Sequence, residues 1–395
     1  MYQSFNPTPR TLMGPGPSDV NGRVLTAMAR PTIGHLDPEF IRLMDEIKAL
    51  LQTVFQTENE LTIPISAPGS AGMEASFVNL VSPGDKVIVC QNGVFGGRMA
   101  DNVRRLGGQV VLVEDTWGRA VDPHKLQHAL QTHPDAEIVA FVHAETSTGV
   151  MSDAAELCGL VSDAGRLSIV DCVTSLVGCE VAVDDWGADV VYSGTQKCLS
   201  CAPGLSPLTM NERAIERLKS RSLPVASWFL DLNLVMGYWG EGQTRSYHHT
   251  APVNALYGLH ESLLIACEEG LAQSWARHRR NHLALCAGLE ALGLEFIVPE
   301  NERLPQLNAV GIPAGVNEAL VRQQLLQQFN LEIGAGIGAL AGKIWRVGLM
   351  GYASRAENVF LCISALEAIL SQNNAAINRG VAIDAAQAIY EAAQD

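Results

Sequence analysis

Two charged residues stand where an apolar chain has most reason to avoid charge. The segment "IVDC" carries Asp171 out of a hydrophobic run, and "YSGTQK" brings in Lys197 after another, twenty-six positions later. Only 17% of the 395 residues are Asp, Glu, Lys or Arg, and burying a charge is costly unless a partner compensates it. A carboxylate at the end of a central strand calls for a cation, and a protonated pyridine nitrogen would serve. A lysine in the adjoining crevice is an amine able to form a Schiff base with an aldehyde. A structural Asp–Lys ion pair accounts for these two residues as well.

Other strand ends add hydrogen-bonding and aromatic groups. "ISAPGSAGMEASFVNL" sets Gly69, Ser70 and Ala71 in a tight turn before a helix expected from about Met73. Free N–H groups and the helix dipole there would favour a phosphate, although glycine-rich turns also open helices that bind nothing. In "CQNGVFGGRM" Val94 and Phe95 lie between glycines in an expected loop, where the ring can stack on a flat ligand or pack inside. "FVHAETSTGV" gathers Glu145, Thr146, Ser147 and Thr148, either a polar cluster at the sheet edge or ordinary turn residues. Cys198 and Cys201 form a C-x-x-C without two further ligands at similar spacing, so packing is the preferred role and no metal is expected.

These residues need a scaffold. Between about residue 61 and residue 210, β-rich runs ("DKVIVC", "GQVVLVE", "AEIVAFVHAE", "RLSIVDC", "ADVVYSG") alternate with helical stretches. The alternation predicts an α/β fold with a mainly parallel sheet covered by helices, and ligands in such sheets sit beyond the carboxyl ends of the strands. From about residue 270 the pattern becomes a smaller α+β unit, where Val359, Ile363, Leu366, Ile369 and Leu370 make one apolar helical stripe. The opening residues, with "MGPGPS", are expected to form no regular element and to lie across another surface. The expected division is an extended segment 1–22 at a subunit interface, a large domain 23–269 and a small domain 270–395.

Composition narrows the partners. A formal net charge of −15 with no basic run argues against nucleic acid. The N-terminus lacks the pattern of a signal peptide, and no stretch reaches the roughly 18 apolar residues of a membrane helix. Nine cysteines scattered through apparent core segments point to a reducing, cytoplasmic setting. A charged fraction below the roughly 25% usual for soluble domains points to surface hidden between subunits.

"SGTQK", the aspartate upstream and "HAETSTG" before it, taken with "LMGPGPS", "MDEIKALLQTVFQTEN", "SYHHTAPVNALY" and "AGKIWRVGLMGY" in this order, resemble the fold-type I, class V aminotransferases. The resemblance is to the alanine–glyoxylate, serine–pyruvate and serine–glyoxylate group. It implies the PLP-dependent transferase fold type I, a pyridoxal 5′-phosphate cofactor, amino acid and 2-oxo acid substrates, and a homodimer with composite active sites. Lys197 would form the Schiff base and Asp171 would salt-bridge the ring nitrogen. Gln196 and Thr146 would hydrogen-bond the cofactor, with Val173 on one ring face and Phe95 on the other, where relatives often carry tryptophan. Gly69 and Ser70 match the phosphate turn, with Pro68 in place of a serine found in relatives. Tyr247 and Thr250 would reach the phosphate from the second subunit, and Arg346 would grip the substrate carboxylate.

Part of the chain also resembles the ureidoglycine–glyoxylate aminotransferases, but His35 and Tyr247 stand where that branch carries glutamine and asparagine. The departure favours alanine or serine as donor to glyoxylate or pyruvate. Two other classes fit less well. A dinucleotide-binding protein calls for G-x-G-x-x-G after its first strand, which is not found, and a desulfurase calls for a reactive cysteine on a mobile loop, unlike Cys198 and Cys201.

Overall fold

Long apolar runs that cannot alternate inside and outside must be covered on both faces, and they build the centre of this molecule. A computed structural model describes residues 2–240 and 245–392. Its main sheet has seven strands in the order Leu61–Ile65, Ser206–Met210, Val190–Tyr192, Leu167–Asp171, Ala136–Val142, Lys86–Gln91, Gln109–Glu114. Ser206–Met210 runs antiparallel to both of its neighbours, and the other pairings are parallel. All the runs expected as strands are strands of this sheet. Leu167–Asp171 stands in the middle, every residue buried, which places Asp171 at the carboxyl end of the central strand.

The helices Gly69–Leu80, Val94–Arg105, Pro123–Thr132 and Ala154–Asp163 connect these strands. Asp122 and Asp153 cap two of them by accepting from the backbone N–H groups of His124 and Glu156. Two expectations are corrected here. The helix expected near Met73 begins at Gly69, because packing overrides the weak helix propensity of glycine and serine. Gly72 lies so close to Ser206 that a methyl carbon on it would sit 1.9 Å from the hydroxyl oxygen. The glycine-flanked segment at Phe95 is the first turn of the helix Val94–Arg105 rather than a loop.

A second hydrophobic core forms around a three-stranded antiparallel sheet, Leu307–Gly311, Ile344–Gly348 and Gly334–Ala335, with Ile344–Gly348 in the middle. The helices Leu271–Ala291, Glu318–Phe329, Ala356–Gln372 and Ala382–Ala392 pack with it. Val359, Ile363, Leu366, Ile369 and Leu370 are all buried in this core, as their spacing predicts. Gly270, with φ of +86°, joins the helix Val253–Glu269 of the first core to Leu271–Ala291 of the second.

The N-terminal segment departs from expectation. Thr11–Leu12 forms a short strand parallel to Leu331–Glu332, two residues free of glycine and proline that pair with backbone from far along the chain. Met13 continues the contact, its carbonyl accepting from the Gly348 N–H at 2.7 Å. Further along, Ser18 donates its N–H to the Gln196 carbonyl at 2.9 Å and its hydroxyl to the Lys197 carbonyl at 2.7 Å. The segment is thus a strap from the second core to the loop that carries Lys197. Among the described residues, no helix is long and apolar enough to cross a membrane.

Candidate active site

Beyond the carboxyl ends of the central strands lies a cavity of about 190 Å³. Successive strand ends line it: Gly69 and Ser70, then Phe95 and Arg98, then Thr146, then Asp171 and Val173, then Gln196 and Lys197. The sheet therefore brings together residues far apart in sequence, each at a point where a strand gives way to a loop or helix.

Asp171 is buried, and its two oxygens have separate donors. Oδ1 accepts from the Val173 N–H at 2.9 Å and Oδ2 from the Tyr192 hydroxyl at 2.8 Å. Burial pushes the carboxyl up to about 6, while these hydrogen bonds and the Lys197 charge hold it down and Glu145 raises it further. Lys197 is buried too, and its amine donates to the Pro15 carbonyl. Burial, with a contribution from Arg346, lowers the amine to about 8 against the opposing pull of Cys198, Asp171 and Glu145. No ion pair joins Asp171 to Lys197, so the structural-pair explanation of the two charges fails. Each faces the cavity with its closest partners elsewhere.

Glu145 gives this region a second buried anion. Oε1 accepts from the Ser147 N–H at 3.0 Å and from its hydroxyl at 2.6 Å, and Oε2 accepts from the Phe95 N–H at 3.1 Å. Burial pushes its carboxyl up and the hydrogen bonds oppose that. The carboxylate thereby caps the helix Val94–Arg105 from another strand end, a favourable place for negative charge. Arg98, three residues on along that helix, holds its guanidinium 4.8 Å from the Phe95 ring centre. At the helix Gly69–Leu80, by contrast, Pro68 supplies no side-chain cap. An anion is suited to that place. Gly69 is tightly placed, since a methyl carbon there would meet the Val173 side chain at 3.3 Å.

Arg346 comes from the second core, on the strand Ile344–Gly348. Its Nε donates to the Ala335 carbonyl at 2.7 Å and an Nη to the Thr146 carbonyl at 3.2 Å. Both acceptors are neutral, and among the described residues no carboxylate forms an ion pair with this buried cation. Burial lowers its pKa to about 10. A buried guanidinium held by carbonyls alone has its charge available for a carboxylate ligand.

The family model Aminotransferase class-V matches residues 22–360. The chain belongs to the class V aminotransferases. Solved structures agree. A ureidoglycine–glyoxylate aminotransferase from Bacillus subtilis superposes with a TM-score of 0.96 at 39% identity, covering 98% of this chain and 100% of that one. An alanine–glyoxylate aminotransferase from Nostoc sp. gives a TM-score of 0.91 at 47% identity over 94% of this chain and 97% of that one. The alanine–glyoxylate aminotransferase of Drosophila melanogaster is 39% identical over 366 residues, 92% of this chain and 93% of its own. The fold is that of the type I pyridoxal phosphate enzymes and the protein is a transaminase.

Members of this family use pyridoxal phosphate, and the residues of this class V aminotransferase suit that group. An uncapped helix start faces the cavity for a phosphate. Among the described residues no cation forms an ion pair with the Asp171 carboxylate. Gln196, another lining residue, has a buried Oε1 without a hydrogen-bond partner. Such an atom fits a ligand donor.

Four expected site residues, Tyr247, Thr250, His35 and Arg346, are not among those lining the cavity, although Arg346 reaches its edge through the carbonyl of the lining residue Thr146. Tyr247 is 62% exposed, with its hydroxyl 3.5 Å from the Thr250 Oγ1 and its ring centre 5.3 Å from that of His35. His249, in the same segment, hydrogen-bonds through Nε2 to the Ser66 hydroxyl at 2.7 Å, near the end of the strand Leu61–Ile65. Cys198 donates its thiol to the Thr174 carbonyl, and burial pushes both Cys198 and Cys201 up to about 12, as inert packing thiols.

Sequence reasoning missed Tyr192, Arg98 and the Pro15 carbonyl, and noted Glu145 without its capping role. Arg98 was findable from its i+3 spacing after Phe95 once a helix is allowed to start at Val94. Tyr192 needed the strand register that sets it opposite Asp171. Nothing in the local sequence signals Pro15.

Proposed function

We propose that this transaminase binds pyridoxal 5′-phosphate and moves an amino group from a small amino acid, alanine or serine, to glyoxylate or pyruvate. One observation carries the assignment: Asp171 and Lys197 line one cavity but do not pair with each other. When bound, the cofactor supplies an electron sink for the bond broken at the substrate Cα. Asp171 holds a proton on the ring nitrogen. Lys197, lowered to about 8 by burial, is poised to take up and return a proton at Cα near neutral pH. The helix start at Gly69 and Ser70 takes the phosphate, Val173 and Phe95 hold the ring between them, and Thr146 and Gln196 orient it. Arg346 takes the substrate carboxylate through a planar fork that lysine lacks.

Completion of the site is assigned to a homodimer, in which Tyr247 and Thr250 reach the partner's phosphate and His35, beside Tyr247, bears on donor choice. The exposure of Tyr247 and Thr250 and their absence from the lining of their own cavity support this, as does the low charged fraction of the chain. In the same proposal residues 1–22 lie at the subunit interface, 23–269 hold the cofactor, 270–395 form the substrate-gripping small domain, and the enzyme works in the cytoplasm. Borohydride reduction of the purified yellow protein followed by peptide mapping should put the reduced cofactor on Lys197. Recovery on another lysine overturns the assignment.

A second reading takes (S)-ureidoglycine as donor, in keeping with the similarity to the Bacillus subtilis structure. His35 and Tyr247, whose ring centres lie 5.3 Å apart, weigh against it, because they stand where that branch carries glutamine and asparagine, whose amides would pair with a ureido group. A site that leaves such groups unpaired rejects its substrate by orders of magnitude. Alanine or serine should therefore give the higher kcat/KM with glyoxylate, and His35→Gln with Tyr247→Asn should move the ratio toward freshly made ureidoglycine. A preference for ureidoglycine in the unmodified enzyme reverses the donor assignment.

A further inference from the structure

Tyr192 is a buried group that the proposed chemistry leaves without a role. It ends the strand beside that of Asp171, and the parallel register sets the two residues opposite each other, so their side chains leave the sheet on one face. The phenol is fully buried and gives its hydroxyl to Asp171 Oδ2 at 2.8 Å, while the Val173 N–H occupies Oδ1 at 2.9 Å. Burial, then the Asp171 charge, then Glu145 push the phenol well above its ordinary pKa. Tyr192 is therefore a donor throughout the working pH range.

We propose that Tyr192 is a positioning residue that keeps the proton shared by Asp171 and the cofactor ring on the ring nitrogen. A shared proton rests on the more basic partner, and every donor to a carboxylate makes that carboxylate less basic. Around Asp171, burial and the Glu145 charge raise its basicity, while the Lys197 charge, the Val173 N–H and the Tyr192 hydroxyl lower it. The neighbouring Cys172 thiol and His143 imidazole are kept neutral by burial and leave the balance to those groups. Of the opposing donors, Tyr192 is the one that a side-chain change can remove. The inference rests on the proposed pairing of Asp171 with the ring nitrogen.

The experiment is NMR of the holoenzyme loaded with cofactor carrying nitrogen-15 in the ring, which distinguishes protonated from unprotonated pyridine. Wild type should show the protonated signal. In Tyr192→Phe the signal should move toward the unprotonated position, and kcat should fall at least about tenfold with KM for the 2-oxo acid within about twofold. Adding Tyr192→Phe to Asp171→Asn should move the nitrogen signal no further. An unchanged signal in Tyr192→Phe, whatever happens to thermal stability, makes the hydroxyl a structural contact and overturns the inference. An unprotonated nitrogen already in wild type overturns the Asp171 pairing itself, and the inference with it. Should Tyr192→Phe fail to fold, Tyr192→4-aminophenylalanine keeps a weaker N–H donor in the same place and should give an intermediate signal; no movement there counts against the proposal equally.

Discussion

Lys197 is where burial and reactivity meet. A lysine amine lowered to about 8 is about one-tenth neutral at pH 7 and about nine-tenths neutral at pH 9, so pyridoxal phosphate uptake by cofactor-free protein should quicken about tenfold over that interval and then level off. Stopped-flow absorbance would follow it. An ordinary amine would instead keep accelerating beyond pH 10. The same shift has a sign for stability. Between about pH 8 and 10.5 the unfolded chain holds a proton that the folded one has released, so this group's contribution to stability rises with pH across that window. Asp171 offers the complementary test. Asp171→Asn should leave the fold and borohydride labelling of Lys197 intact yet cut kcat at least roughly thirtyfold, the equivalent of about 2 kcal/mol for a lost charge-assisted hydrogen bond. Unchanged turnover would mean that another group maintains the electron sink.

At the scale of elements, the Val94–Arg105 helix depends on a close approach at its start. A methyl carbon on Gly93 would lie 2.4 Å from the Glu145 carboxylate carbon and 2.5 Å from the Ser147 hydroxyl oxygen. Gly93→Ala should therefore displace the cap, move Phe95 and destabilise the protein by about 1–3 kcal/mol. Gly159→Ala is the control: the position is inside the helix Ala154–Asp163 with nothing within 4 Å of the added carbon, and it should gain about 0.5–1 kcal/mol. Thermal unfolding of both variants checks the contrast. The same elements explain what was legible in the sequence. Alternating β-rich runs and helices predict the parallel sheet because each run is long enough to declare itself, and Asp171 and Lys197 stand out because charge is rare at such places. The helix starts at Gly69 and Val94 were hidden, since their stability lies in contacts with Ser206 and Glu145 from elsewhere in the chain. The two-residue strand Thr11–Leu12 was illegible for the same reason: its partner is more than three hundred residues away.

For the whole molecule, the proposed dimer makes a prediction that no single subunit can satisfy. Mixing Lys197→Ala subunits with subunits carrying Tyr247→Phe and Thr250→Ala should give heterodimers in which one site has both defects and the other has neither. Partial recovery of activity is the expected outcome, and none in heterodimers verified by mass spectrometry would rule out shared sites. The strap has its own consequence for the making of the protein. Thr11 and Leu12 leave the ribosome more than three hundred residues ahead of Leu331 and Glu332, the backbone they pair with. Until then Pro15, whose carbonyl receives the Lys197 amine, is held from one side only, through Ser18. A nascent chain can thus complete its large sheet before both ends of the strap are anchored, so the full hold on its lysine comes only with the second core.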